Sequence, residues 1–268
     1  GRDAENPPLP RTDGSQFVIL HIVALVPSLM NMNGDAENAR VLAYRAQRAG
    51  LDVELHWLDD VSRLPERVDL VVLGSGSDSE LAAARTALLP ITDRIRAWAT
   101  EKTVVLAVGT GWELLSWGVE RENGDIIEGF GVFAGRSVSA PTRVVGEIVV
   151  ESPWGELIGF ENHARDYVGA EKASIGPVLA GSGNGIVQPS GRKHEGIVMG
   201  TAIGTHLHGP VCAKNPGFAD ALLTLAAEHA GERYEPSAEL ERIDAWAADA
   251  RSRTRSALEL DEPSSTTR

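Results

Sequence analysis

A chain of 268 residues that is 43% hydrophobic can build one large α/β domain or two small ones. Its formal net charge of −13 argues against a non-specific nucleic-acid binder, which needs a basic face to displace counterions, and against docking on an anionic membrane surface. A single cysteine, Cys212, excludes an internal disulfide and a cysteine-cluster metal site, and no apolar run reaches the ~18–20 residues of a membrane span.

Residues 1–16 are rich in Pro, Asp and Gly and carry no apolar segment of the secretory kind, so they are expected to form a flexible tail. A cytoplasmic location is expected. Residues 17–25 (FVILHIVAL) form a continuous apolar run, as in a strand covered on both faces. A loop with Asn-Gly-Asp turn chemistry follows, then a helix over 36–50 that closes on Gly50. DVELHWL alternates Val53, Leu55 and Trp57 with polar residues, and VDLVVLG (68–74) reads as a second buried strand. The segment from Ser75 to Thr100 opens with Ser/Asp capping signals and continues as helix, broken or kinked at Pro90. TVVLAVGTGWELLSWG (103–118) is a buried strand, a tight Gly109-Thr110-Gly111 corner and a helix.

This βαββαβα order predicts a mostly parallel sheet flanked by helices, with ligands gathered at the strands' carboxyl ends, here LGSGSD and AVGTGW. The second half turns to short strand-like runs between glycine-rich turns, expected as antiparallel additions to the same sheet. A helix is expected over 215–231. Beyond Pro236, Leu240, Ile243, Trp246 and Ala250 share a stripe of a further helix, expected to dock on the core or on a partner. The last eight residues read as disordered.

Several motifs carry possible chemistry. In LGSGSD (73–78) the backbone N–H groups are disposed to cradle an oxyanion, or form a plain βα turn; no Gly-Lys-Ser/Thr follows, so it is not a P-loop. In GTHLHG, His206 and His208 stand two apart on a strand and share a face. They read as a metal-ligand pair, as one catalytic base (His208), or as structural histidines. GFENHARDYVG places Glu161, Asn162, His163 and Arg165 in one loop, for binding or as a surface turn. Arg143 is a candidate fork for a substrate carboxylate or an ordinary ion-pair member. Cys212 is either a buried inert thiol or a reactive one.

Taken in order, NxxGD, VDLVVLGSGSD, VVLAVGTGWELLSWG, GFENH, GSGNG and GTxLHGPxxxKNP resemble the class I glutamine amidotransferase-like family. Within it they are most like the glutaminase subunits of lipid II isoglutaminyl synthases and the amidotransferase domain of cobyric acid synthase. The resemblance covers roughly residues 17–228. It implies a single amidotransferase-like domain over 17–232, with 233–268 as a helical extension and tail. It also implies glutamine hydrolysis without a cofactor: a cysteine thiolate at the elbow attacks the side-chain amide, a histidine moves the proton, and backbone N–H groups hold the oxyanion. The ammonia would pass to a Mur-ligase-type synthetase that amidates the D-glutamate carboxylate of the lipid II stem peptide. Carried onto this chain, the histidine is His208, the oxyanion donors are Gly76 and Thr110, and the substrate-carboxylate arginine is Arg143.

The elbow departs from the pattern. Where the family has a stretch like AVCGGYQLLG, this chain has AVGTGWELLS, so the nucleophile position is Gly109 and the following glycine is Thr110. His206 stands where an aromatic residue is typical. The leading expectation is therefore a glutaminase-type subunit that does not form the usual thioester. It would keep glutamine or a similar small molecule in its pocket and serve as scaffold, sensor or synthetase partner. The alternatives are an active amidotransferase using Thr110 or Cys212, and a metal-dependent hydrolase built on His163, His206 and His208.

Overall fold

The computed structural model describes residues 18–260. The expected tails over 1–16 and 261–268, and Phe17, lie outside the described residues.

Apolar strand segments and amphipathic helices alternate as the pattern predicts. β1 (Leu20–Leu25) leads through a loop and a 3-10 turn into α1 (Asn38–Arg48). α1 buries Ala39, Leu42, Ala43 and Ala46, the i, i+3, i+4, i+7 stripe of a helix lying on a sheet. β2 (Val53–Leu58) and β3 (Leu70–Leu73) follow. α2 (Asp78–Leu88) starts on a capping box in which the Ser77 N–H donates to Glu80 Oε2 at 2.7 Å. Pro90 lies in a 3-10 turn that separates α2 from α3 (Thr92–Glu101), so the break predicted at that proline is present. β4 (Val104–Val108) then meets α4 (Thr110–Leu115) at the Gly109 corner.

The first sheet has the order β11 (Ile197–Met199), β12 (Ala202–Thr205), β4, β3, β1, β2. β12 runs parallel to β4, and β11 is antiparallel to β12 at the edge. The chain turns from β2 outward to β3, so the strand order reverses between β1 and β3, where the carboxyl ends open a crevice. One face carries α1 and α6 (Pro216–Ala230); the other carries α2 and α3, whose Leu81, Leu88, Ile95 and Trp98 are buried.

The antiparallel strands expected in the second half are present, but only β11 joins the first sheet. The others form a second sheet: β5 (Gly118–Glu120), β6 (Ile126–Glu128), β7 (Arg136–Ser152), β8 (Gly155–Val168), β9 (Gly176–Ala180) and β10 (His194–Glu195). Its centre is the long β7–β8 hairpin. The reason for a second layer is packing: Ile148, Val150 and Leu157 join the apolar cluster that α1 and α6 form over the first sheet. A single bridge, Phe160 to His208, ties β8 to the loop after β12.

α5 (Val211–Lys214) precedes α6, and α7 (Glu241–Ala257) closes the described chain. α7 does not dock on the core by its apolar stripe. Leu240 is buried, but Ile243 and Trp246 are exposed at 39% and 60%. It docks through charge instead: Asp244 accepts from the buried Arg45 at 2.6 Å, Arg251 reaches the Glu156 carbonyl at 2.6 Å, and Arg255 pairs with Glu156. Arg45 also forks onto Asp220 at 2.9 Å, so two carboxylates share one buried guanidinium. Among the described residues no helix is long and apolar enough to cross a membrane.

Candidate functional site

Four carboxyl-end segments of the first sheet converge on one cavity of about 350 Å³. The loop after β1 supplies Met32 and Asn33, the turn after β3 supplies Ser75 and Gly76, the β4–α4 corner supplies Gly109 and Thr110, and the segment after β12 supplies His208. The second sheet forms the facing wall with Arg143, Asn162, His163 and Arg165. That volume suits a ligand of amino-acid size.

The corner is built as a sharp strand-to-helix elbow. Gly109 has φ +55° and ψ −125°, a conformation that side chains of L-residues rarely adopt. Gly111 is required for a different reason. A Cβ there would lie 2.1 Å from the Gly74 carbonyl oxygen, because α4 starts hard against the turn after β3. The direction of the absent Gly109 side chain is informative. A Cβ built on it falls 2.7 Å from His208 Cε1 and 3.4 Å from His208 Nε2, with Ser75 Cβ at 3.0 Å. The elbow therefore aims its bare position at the histidine.

His208 is held for that encounter. Its Nδ1 bonds Asp35 Oδ2 at 2.7 Å, both side chains are buried, and Nε2 has no hydrogen-bond partner among the described residues. The backbone of His208 is pinned to β8, its N–H donating to the Phe160 carbonyl at 2.8 Å. Ser75 Oγ also donates to Asp35 Oδ2, the oxygen that His208 Nδ1 bonds, and sits 3.0 Å from the Met32 carbonyl oxygen. Asp35 was not singled out from the sequence as a site residue. Its only signal was its place in the NGD turn, which reads as loop chemistry until the fold brings it to His208 across 173 positions.

The Gly76 N–H, expected as an oxyanion donor, points to the Thr110 hydroxyl at 2.8 Å. The same hydroxyl lies 3.0 Å from the Gly76 carbonyl oxygen and so bridges both backbone groups of that residue. A glycine at position 110 would leave that N–H open to the cavity.

The GFENHARDYVG segment is not a surface turn but part of β8, with Glu161, His163, Arg165 and Tyr167 facing inward. Each buried charge finds a partner. Arg165 donates to Glu113 at 2.6 Å and forks onto Asp78 at 2.8 and 3.2 Å. The hydrogen bond from Arg165 holds the Asp78 carboxyl below its usual range, against the opposing effect of partial burial. Glu161 accepts from the N–H groups of Ser182 and Gly183, in the GSGNG stretch, at 2.7 and 3.0 Å, and pairs with His163 Nε2 at 3.2 Å. Burial alone would lower the His163 pKa, but Glu161 and the Arg165 carbonyl outweigh it, so the imidazole titrates above its ordinary value. Arg143 sits where the β7–β8 register slips, between Ser139 and Val144, and donates to Asn162 Oδ1 at 2.7 Å on the cavity rim.

His206 and His208 do not share a face. β12 ends at Thr205, so the two-residue alternation stops before either histidine. His206 turns inward to the fully buried Glu195, with Nδ1 3.0 Å from Oε2, and stacks on His163 with ring centroids 4.1 Å apart. Burial would raise the Glu195 pKa, yet its contacts with His206 and Thr205 hold it below the ordinary value. The three histidines proposed for a metal hydrolase do not aim at one point: His208 faces Asp35, while His163 and His206, though stacked, each pair with their own carboxylate. Cys212 does not enter the cavity either. It is buried on α5, its N–H donates to Asn38 Oδ1 at 2.9 Å, and burial pushes its thiol pKa up, the opposite of an activated nucleophile.

The model of the CobB/CobQ-like glutamine amidotransferase domain matches residues 21–216. The chain belongs to that family. It is 30% identical over 220 residues to the GatD subunit of the glutamine-hydrolyzing lipid II isoglutaminyl synthase of Staphylococcus aureus (strain N315), covering 81% of this chain and 88% of that protein. The subunit of the same name from Streptococcus pneumoniae (strain ATCC BAA-255 / R6) is 29% identical over 223 residues, covering 80% and 83%. Among solved structures, a glutamine amidotransferase superposes with a TM-score of 0.51 at 16% identity, covering 76% of this chain and 98% of that one, a likeness of fold. The expected class, a mostly parallel α/β amidotransferase-like fold with antiparallel additions, is the fold observed.

Proposed function

We propose that this chain is the glutaminase-type subunit of a lipid II amidating system, and that it holds glutamine or a similar small molecule without hydrolysing it through a thioester. The observation that carries this reading is the pairing of Gly109 with His208: a base oriented by Asp35 faces an elbow residue with no atom to attack an amide. The similarity to the two lipid II isoglutaminyl synthase subunits supports the biosynthetic setting. In this reading His208 is the former proton carrier, Gly76 and the Thr110 N–H flank the oxyanion position, and Arg143 receives the ligand's α-carboxylate. The subunit acts as a scaffold, a ligand sensor or the partner of a Mur-ligase-type synthetase that takes free ammonia. It needs no cofactor.

The test is direct. Purified protein is incubated with L-glutamine, glutamate and ammonia are followed, and glutamine binding is measured by calorimetry. Binding that weakens in Arg143→Met, with no turnover above background, is the expected result. Turnover would overturn the inactive reading, and its loss in Thr110→Ala would point to the elbow hydroxyl as a substitute nucleophile.

A further inference from the structure

One set of ligating side chains lies outside the cavity, near the amino ends of the strands. His21 is on β1; Glu54 and His56 are on the edge strand β2. The parallel register sets His21 beside Glu54 and Val23 beside His56, so strand alternation puts all three side chains on one face. His21 Nδ1 and His56 Nε2 stand 3.0 Å apart. Glu54 straddles the pair, with Oε2 3.8 Å from His21 Nδ1 and Oε1 3.7 Å from His56 Nε2. Both distances are too long for hydrogen bonds.

Two ligand atoms held ~2.0–2.1 Å from one tetrahedral zinc ion are separated by about 3.3 Å. The two nitrogens are already within a few tenths of an ångström of that spacing, and the carboxylate needs only a small side-chain adjustment. A hydrogen bond between the rings places one proton between two lone pairs and leaves the carboxylate bonded to neither. A divalent ion would use both lone pairs and the negative charge together. Access is open, since the three side chains are 20%, 54% and 14% exposed in sequence order.

We propose that His21, Glu54 and His56 form a binding site for a zinc-class divalent ion that fastens β2 to β1, with a fourth position left to water. Imidazole and carboxylate ligands favour zinc over calcium or magnesium, which prefer all-oxygen sites. This site is independent of the amidotransferase cavity.

The experiment uses the untagged full chain, stripped with a chelator and titrated with zinc chloride by calorimetry. One equivalent should bind, and the melting temperature should rise with zinc. Loss of an outer-sphere partner already costs 10–100-fold in metal affinity, so His21→Gln, His56→Gln and the exposed Glu54→Gln should each weaken binding by about tenfold or more. Circular dichroism establishes that each variant is folded, and Co²⁺ in place of zinc should give tetrahedral d–d absorption that His56→Gln abolishes. Absence of zinc uptake, or unchanged affinity in any one of the three folded variants, overturns the three-ligand site.

Discussion

Returning a sulfur to the elbow tests the central reasoning, and its consequences can be worked out from the geometry. Gly109→Cys places a side chain at φ +55°, a backbone region that costs of order 1–3 kcal/mol for a non-glycine residue. The new Cβ also starts 2.7 Å from His208 Cε1, so the ring must retreat toward an ordinary contact near 3.4 Å. For a chain of this size, 1–3 kcal/mol corresponds to a melting temperature lower by about 2–12 °C. In exchange the thiol is delivered to the unpartnered Nε2 of His208. In a well-studied serine hydrolase the nucleophile is worth roughly 10⁶ in kcat, so the substitution should turn a pocket that is inert on the proposed reading into one that forms a glutamyl thioester.

The gain should nevertheless be partial. The Thr110 hydroxyl occupies the Gly76 N–H at 2.8 Å, and one oxyanion donor is worth about 10²–10³ in kcat. The double variant Gly109→Cys/Thr110→Gly is therefore expected to exceed the single variant by about that factor. Glutamate release from L-glutamine gives the rates, and intact-mass spectrometry after quenching detects the adduct. The reasoning fails if the parent chain already turns over in the usual enzymatic range of ~1–10³ s⁻¹. It also fails if the folded double variant forms no adduct.

Three further outcomes follow from the surrounding contacts. In the reactivated double variant, Asp35→Asn should lower kcat about 10⁴-fold while leaving glutamine binding in place, because the lost carboxylate fixes the His208 tautomer. Arg165→Met strands the buried Glu113 without its counter-charge and should cost roughly 3–5 kcal/mol in urea unfolding, much of which Glu113→Gln in the same chain should return. The raised pKa of His163 means that its pairing with Glu161 stabilises the fold fully below the unfolded imidazole value of about 6.5 and loses that contribution as pH rises through the folded value. The stability difference between the parent and Glu161→Gln should therefore shrink from acidic to alkaline pH, and an NMR titration of His163 should shift downward in the variant.

The first half of the fold could be read from hydrophobic period alone, since Ala39, Leu42, Ala43 and Ala46 do what such spacing predicts and Pro90 divides a helix where it stands. The second half resists that reading because its buried positions are charged. β8 alternates inside and outside faithfully, but its inward residues are Glu161, His163 and Arg165, and their partners come from far away: Arg165 meets Glu113 across 52 positions and Asp78 across 87. α7 misleads in the same manner. Its apolar residues face outward because Arg45, buried on α1 with Asp220, draws Asp244 inward. Long-range countercharges leave no periodic trace, so a polar strand looks like a turn and an ion-paired helix looks like an apolar one. At His206 the two-residue alternation no longer holds, because β12 ends one residue earlier at Thr205.

The site itself divides along the same line. The glycine elbow and the histidine were visible as motifs, while Asp35, Glu113 and the blocking hydroxyl of Thr110 acquire meaning only through contacts. Those contacts bear on what the cavity is for. A buried ring nitrogen left without a partner costs of order 1–3 kcal/mol, and Gly109 offers His208 Nε2 no side chain to bond. A cavity serving only as a filler between two sheets would be more stable with an apolar residue there. An oriented imidazole, a rim arginine held by Asn162 and a charged wall neutralised from behind instead make a polar receptacle, in which a ligand's own amide N–H can supply the missing hydrogen bond to Nε2. On that argument a glutamine-like molecule is the occupant that the proposed function requires of this cavity.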